Sequence, residues 1–201
     1  MTVVADYFNE LYRADPDPWR VRSSWYERRK RALVMAALPR QHYLSTFEPA
    51  CGAGELTLCL AERSAALLAC DYSEVAMSLA RRRLSRCGNV QLECRAMPHE
   101  WPEAATGKFD LIIVSELAYY LDDGDLAMFS MLCGASLTPG GDLVACHWKH
   151  SFHDRLQSTE KIHEAFSAQA SLGRVICLQD ADFLLEVWRK GLLKNDARVP
   201  A

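Results

Sequence analysis

The segment Glu48-Pro49-Ala50-Cys51-Gly52-Ala53-Gly54-Glu55 sets an acid, a run of small residues and the start of a helical stretch side by side. A ligand packed over such a turn requires small residues, because larger side chains would hold it off the backbone. The helix that follows Gly54 offers N–H groups with no partners inside the helix. A second apolar run then ends at Asp71, an acid able to accept both hydroxyls of a ribose. Ahead of the turn, Tyr43-Leu44-Ser45-Thr46-Phe47 reads as a buried strand. Strand, small-residue turn, helix, strand and acid form the first half of a nucleoside-binding α/β unit. Ala50, Gly52 and Gly54 give A-x-G-x-G, whereas a dinucleotide turn reads G-x-G-x-x-G. Glu48 at the strand end suits a cationic or amine-bearing ligand better than a diphosphate.

Other positions with chemical potential follow. Phe109-Asp110-Leu111-Ile112-Ile113-Val114-Ser115-Glu116 is an apolar run with a polar tip. Read as a fourth strand, it ends at the same sheet edge as Glu48 and Asp71, where open α/β sheets bind ligands. Ser115 and Glu116 are expected to face the cofactor or the acceptor. Tyr119 and Tyr120 either wall the acceptor site or serve as helix or loop packing. Thr138-Pro139-Gly140-Gly141 reads as a turn ahead of a fifth strand. That strand leads into Cys146-His147-Trp148-Lys149-His150, where His147 is a candidate general base or a hydrogen-bonded structural histidine, and Trp148 a stacking platform. His147, His150 and His153 lack a well-spaced carboxylate partner, so a metal site is not expected.

These residues need a scaffold to hold them. Helices are expected at 2–13, 24–38, 55–63, 74–86, 123–135 and 158–170. Tyr26, Leu33, Val34 and Ala37 form the inner face of the second, and Pro39 stops it. Strands are expected at about 44–49, 66–71, 90–94, 109–115, 141–147, 173–179 and 182–189. Strand–helix alternation implies parallel strands with right-handed crossovers. The short connection between the last two strands requires an antiparallel pair. The expected fold is therefore α/β: a doubly wound, mostly parallel seven-stranded sheet with an antiparallel last strand. We expect one domain over 1–201, with N-terminal helices and a possible lid over 1–40, a Rossmann-like core over 41–190 and a tail over 191–201.

The chain has 201 residues, half of them hydrophobic and 24% charged, the profile of an ordinary soluble globule. Its net charge of −3 gives no basic field for nucleic acid. Arg28-Arg29-Lys30-Arg31 reads as the solvated face of a helix. No apolar stretch approaches the roughly 20 residues that span a bilayer, and the N-terminus, with Asp6, Asn9 and Glu10, does not resemble a signal peptide. The eight cysteines include no C-x-x-C pair. Several fall in apolar strands, as at Cys70, Cys94, Cys146 and Cys177, and read as small reduced core residues of a cytoplasmic protein.

The residues from Glu48 to Glu55, with Asp71 as the ribose acid, resemble motif I of the class I S-adenosylmethionine (SAM) methyltransferases. Within that group the chain is most similar to the NodS family of nodulation N-methyltransferases. That similarity rests on Asp17-Pro18-Trp19-Arg20, Ser24-Trp25-Tyr26-Glu27, Glu48 to Glu55 and Ser115-Glu116-Leu117-Ala118-Tyr119-Tyr120-Leu121. The resemblance implies SAM as cofactor and S-adenosylhomocysteine (SAH) as product. Glu48 would hold the methionine amino end, Gly52 and Gly54 would permit close approach at Ala50, and Asp71 would bind the ribose, with Tyr72 near adenine. Trp19, Arg20 and Tyr26 would fold over the site or pack on the sheet. Glu116, Tyr119 or His147 would orient or deprotonate a small-molecule acceptor, an amine such as that of a deacetylated amino sugar. The chain departs from the family at Ala50, where glycine is usual, and at Ala96, where many relatives carry an acid that touches adenine; Met97 and backbone atoms would then make that contact. The ending Asp182-Phe183-Leu184-Leu185-Glu186-Val187-Trp188 is distinctive. O-methyl transfer and a non-catalytic SAM-binding role stay open. A dinucleotide oxidoreductase lacks its third glycine, and an exocyclic-amine nucleic-acid methyltransferase lacks its prolines after the fourth strand.

Overall fold

The computed structural model describes residues 5–103 and 105–191. The first residues of the expected N-terminal helix and the expected tail from 192 onward lie outside them. The chain divides into two compact units, Met1–Trp101 and Pro102–Ala201.

In the first unit, α1 (Ala5–Ala14) and α2 (Trp25–Ala37) precede β1 (Tyr43–Pro49), α3 (Glu55–Ala61), β2 (Ser64–Asp71), α4 (Glu74–Arg83) and β3 (Val90–Cys94). The three strands are parallel, with β2 in the middle. Glu48 lies opposite Ala69, and Asp71 opposite Cys94. Phe47, Leu60, Ala69, Met77 and Ala80 are fully buried. Alternating apolar positions on the strands and matched positions on α3 and α4 supply them. Ser73 starts α4, its hydroxyl accepting the Ala76 N–H at 3.1 Å. On α2, Val34 is buried as expected, but so is Lys30, which pairs with Glu27 at 3.0 Å and covers the Tyr26 ring. The basic cluster is therefore not a uniformly solvated face, because the aliphatic stem of Lys30 packs inward.

In the second unit, β4 (Phe109–Ser115) runs into a 3₁₀ turn (Ala118–Tyr120), then α5 (Asp123–Ser136), β5 (Leu137–Trp148), α6 (Thr159–Ser167), β6 (Leu172–Gln179) and β7 (Phe183–Lys190). β4 and β5 are parallel; β7 is antiparallel to both β5 and β6. Asp122 and Ser158 cap α5 and α6 with side-chain bonds of 3.0 and 3.1 Å. The strands run in the order β3-β2-β1 in the first unit and β4-β5-β7-β6 in the second, and the fold is that of a seven-stranded mixed α/β sheet flanked by helices.

Two expectations change. Thr138-Pro139-Gly140-Gly141 is not a turn ahead of β5 but an irregularity inside it. Phe109 pairs with Leu137 and Leu111 with Asp142, so three extra residues bulge from β5. Pro139 has no N–H to give the ladder and Gly140 takes φ +74°, which is why the bulge falls there. Cys94 and Cys177 are exposed rather than in the core, because β3 and β6 are the sheet's edge strands. Cys51, Cys70, Cys133 and Cys146 are buried thiols.

One side chain fastens the α2–β1 connection. The Arg63 guanidinium donates to the carbonyls of Met35 at 2.6 Å, Gln41 at 3.0 Å and Leu38 at 3.4 Å, and also to that of Arg40. A cation is well placed at a helix C-terminus, where carbonyls lack partners. Arg63→Ala should cost about 2 kcal/mol of stability in urea unfolding, and Arg63→Lys should recover only part of it, because an ammonium has fewer donors to share.

Candidate functional site

The tip of β1 holds a buried acid. Glu48 is 3% exposed, and its Oε2 has no hydrogen-bond partner. Burial raises its carboxyl to about 8; the nearby Thr57 hydroxyl works against the shift, and the charge of Asp71 adds to it. An orphaned buried carboxyl oxygen is costly and points to a cationic or donor partner supplied from outside the chain.

The turn after β1 is built from left-handed residues. Ala50 takes φ +57°, Gly52 φ +55° and Gly54 φ +82°. Ala50 carries a strain that glycine would relieve, of about 1 kcal/mol. A Cβ on Gly54 would lie 3.1 Å from Leu84 and 3.4 Å from Ala80, so glycine lets α3 pack against α4. Gly52 turns its N–H to Asp71 Oδ2 at 2.8 Å, and the other oxygen of Asp71 accepts from the Ser73 N–H at 2.9 Å. Burial raises the Asp71 carboxyl even against these backbone bonds. A carboxylate has about four acceptor directions, and the backbone groups of Gly52, Ser73 and Tyr72 do not take all of them.

α1 lies over this turn. A Cβ on Gly52 would sit 2.7 Å from the Tyr12 hydroxyl. Asn9 Oδ1 accepts from the Ser73 hydroxyl at 2.7 Å and from the Val75 N–H at 3.3 Å. Trp19 packs edge-on against Tyr12 and beside Phe8. Tyr26 sits on α2 under Lys30, and Tyr72 and Met97 follow β2 and β3. Asn9 and Tyr12 escaped the sequence reading. Their only signal was polarity on the inner side of an amphipathic helix.

In the second unit, β4 ends at Ser115, and Glu116 is held at φ +58°. Such a conformation in a non-glycine residue persists only where its surroundings enforce it. The Glu116 N–H donates to the Cys146 carbonyl at 3.1 Å, and its Oε2 accepts the Trp148 N–H at 3.3 Å. Tyr119 is buried, its ring edge-on to Phe152, Tyr120 and His147, with the Arg155 guanidinium over it. His147 is fully buried, bonded to His163 at 3.1 Å, while His150 turns to Asp182 at 2.8 Å. His147 and His150 therefore turn to different partners. His163 and Glu186 were not singled out from sequence; a histidine on the apolar face of α6 and an acid inside an apolar strand were the available signals.

A methyltransferase domain family matches residues 47–141. A Pseudomonas syringae protein, whose crystal structure carries a provisional methyltransferase assignment, is 42% identical; the match covers 83% of this chain and all of that one, with a TM-score of 0.73. The chain belongs to the class I SAM-dependent methyltransferases. Nodulation protein S of Rhizobium tropici is 32% identical over 65% of this chain and 55% of its own. The chain spans about half the length of the curated relatives it matches. The N-methyltransferase NodS of Bradyrhizobium japonicum WM9, solved with SAH, has the same fold: TM-score 0.82, 24% identity, 92% of this chain and 97% of that one covered.

The first unit's residues suit the methyltransferase cofactor chemically. Glu48 Oε2 offers an unpartnered acceptor for an ammonium, and Asp71 has acceptor capacity beyond its backbone bonds for a diol. Among the described residues no helix is long and apolar enough to cross a membrane.

The raised Glu48 carboxyl has a consequence for stability. A carboxyl raised on folding favours the native state while it is protonated. That contribution is complete below the ordinary value of 4.5 and is lost as pH climbs through about 8. Urea unfolding from pH 5 to 9 should show the wild type losing ground to Glu48→Gln, by up to about 1.4 kcal/mol per pH unit. Parallel curves for the two proteins would show that Glu48 does not titrate in this range.

Proposed function

We propose that this methyltransferase transfers the methyl group of SAM to an amine of a small molecule, such as a deacetylated amino sugar. The observation that carries the cofactor half is the orphaned Glu48 carboxyl beside the small-residue turn that Asp71 holds. The amine half is supported by the relatives, which include an N-methyltransferase and a nodulation protein S.

When bound, SAM supplies a methyl group on a positively charged sulfur. Glu48 accepts from the methionine ammonium, and Ala50, Gly52 and Gly54 keep side chains clear of the cofactor. Asp71 would take the ribose hydroxyls, Tyr72 and Met97 would contact the adenine, and Ser115 is assigned a cofactor contact. Trp19 and Tyr26 belong to the N-terminal cover. The acceptor must present a neutral nitrogen lone pair in line with the departing sulfur, so its proton needs an acceptor. We give that role to Glu116, whose partly exposed carboxylate sits on a strained backbone. Tyr119 and His147 position it, since His147 is buried and turned toward His163.

Calorimetry with SAM, SAH and NAD tests the cofactor. Micromolar binding of the SAM pair and no binding of NAD is the expected result, and failure of a folded sample to bind SAM or SAH overturns it. Mass spectrometry of a glucosamine oligomer incubated with SAM should then locate a new methyl on nitrogen. A methyl on oxygen would favour the O-methyltransferase reading, and binding without turnover over a panel of amines and alcohols would favour a non-catalytic role. At pH 7, SAH binding should release close to one proton, seen as a buffer-dependent enthalpy, because Glu48 must ionise to meet the ammonium. Glu48→Gln should abolish that release. Asp71→Ala should weaken SAH binding about 100-fold, the loss of charge-assisted bonds to a diol.

A further inference from the structure

The second unit contains a continuous line of buried polar groups that the proposed chemistry does not use directly. It runs from a backbone amide to a surface arginine. The Ala118 N–H meets His147 Nε2 at 3.4 Å. His147 Nδ1 lies 3.1 Å from His163 Nε2. His163 Nδ1 lies 2.8 Å from Glu186 Oε2, and Glu186 Oε1 meets the Arg174 guanidinium at 2.5 Å. His147 is 0% exposed, and His163 and Glu186 are each 3% exposed; Arg174 reaches solvent. The members come from β5, α6, β7 and β6. Tyr119, Phe166 and Trp188 pack around them.

Both ends of this line dictate the same proton arrangement. An amide N–H can only donate, so Nε2 of His147 must accept and, in a neutral ring, Nδ1 must carry the proton. That proton goes to Nε2 of His163, which must then carry its own proton on Nδ1. At the other end, burial would raise the Glu186 carboxyl, but the hydrogen bond from His163 and the Arg174 guanidinium work against it, and the carboxyl lies below the ordinary value. Ionised Glu186 can only accept, so it requires the proton on Nδ1 of His163. Two rings placed by separate elements thus receive consistent instructions from two directions. Buried polar networks justify their desolvation only when fully satisfied, and this one is.

The line ends where the chain needs support. Ala118 opens the 3₁₀ turn that carries Tyr119, two residues after the strained Glu116. We propose that Glu186 and His163 are positioning residues, which lock His147 in its Nδ1–H tautomer so that Nε2 holds the Ala118 amide and with it the Glu116–Tyr120 loop. This rests on the reading of that loop as the acceptor side. The residues that direct it lie in α6 and β7, far along the sequence, and Glu186 belongs to the distinctive Asp182–Trp188 segment. Reversal would have a defined effect. If Glu186 offered a donor, His163 would take the other tautomer, His147 would follow, and its Nε2–H would confront the Ala118 N–H, donor against donor.

Nitrogen NMR of the imidazoles in the full-length wild-type protein tests the arrangement without any substrate. Both His147 and His163 should be neutral with protonated Nδ1 at pH 7. Protonated Nε2 on either neutral ring, or a standing imidazolium, overturns the proposal. Glu186→Gln places an amide where the carboxylate was and permits reversal. It should shift His147 toward the Nε2–H form and speed hydrogen exchange of the Ala118 amide at least tenfold. It should also lower kcat for methyl transfer from SAM to a glucosamine oligomer about tenfold while leaving SAH affinity unchanged. Unchanged Ala118 exchange in a variant whose tautomer has reversed overturns the link to the loop. If Glu186→Gln does not fold, the wild-type tautomers still decide. If wild-type SAM binding fails while the tautomers and exchange behave as stated, the functional reading has failed and the positioning line stands.

Discussion

A backbone turn can lie bare beside a ligand only if something other than side-chain packing holds it, and here that is one carboxylate. Asp71 grips the Gly52 N–H with one oxygen and the Ser73 N–H with the other. The first bond fixes the loop after β1, whose positive φ values would otherwise be loosely held. The second fixes the entry to α4, which Ser73 then caps. Parallel pairing of β1 and β2 brings both within reach of a single side chain. Remove that carboxylate and the turn keeps its glycines and the Arg83 bond to the Ala53 carbonyl, but loses the bond that ties Gly52 to the end of β2.

The two units use buried polarity in opposite ways. In the first, Glu48 is left short of a partner, which favours its neutral form and suits it to meet a charge from outside. In the second, His147, His163 and Glu186 saturate one another and end on a backbone amide. An unsatisfied group is poised to bind, whereas a satisfied line is suited to hold shape. The same residue types therefore carry different meanings, decided by what each finds within hydrogen-bond distance.

Much of this was legible in the chain. The strand tips at Glu48, Asp71 and Ser115 follow from apolar runs with polar ends, and every expected strand and helix is present within a few residues. The bulge at Pro139-Gly140 reads as a turn, since residues that break a ladder look alike whether the strand stops or resumes beyond them. Cys94 and Cys177 read as core residues because an apolar strand does not announce that it lies on an edge. The partners of His147 stayed hidden for a different reason. His163 and Glu186 reach it from α6 and β7, and only the return of β7 alongside β5 sets them together. Tautomers are fixed by such neighbours and leave no local pattern.

The bonds of Asn9 tie α1 to the Ser73 hydroxyl and the Val75 N–H, and Ser73 is itself bound to Asp71 and, through it, to Gly52. Five positions spread from residue 9 to residue 75 thus form one hydrogen-bonded unit. The energies of substitutions within such a unit do not sum, because the first change already releases what the second would remove. Scanning these positions one at a time would credit the same stabilisation several times over, and only paired substitutions would reveal how much of it is shared.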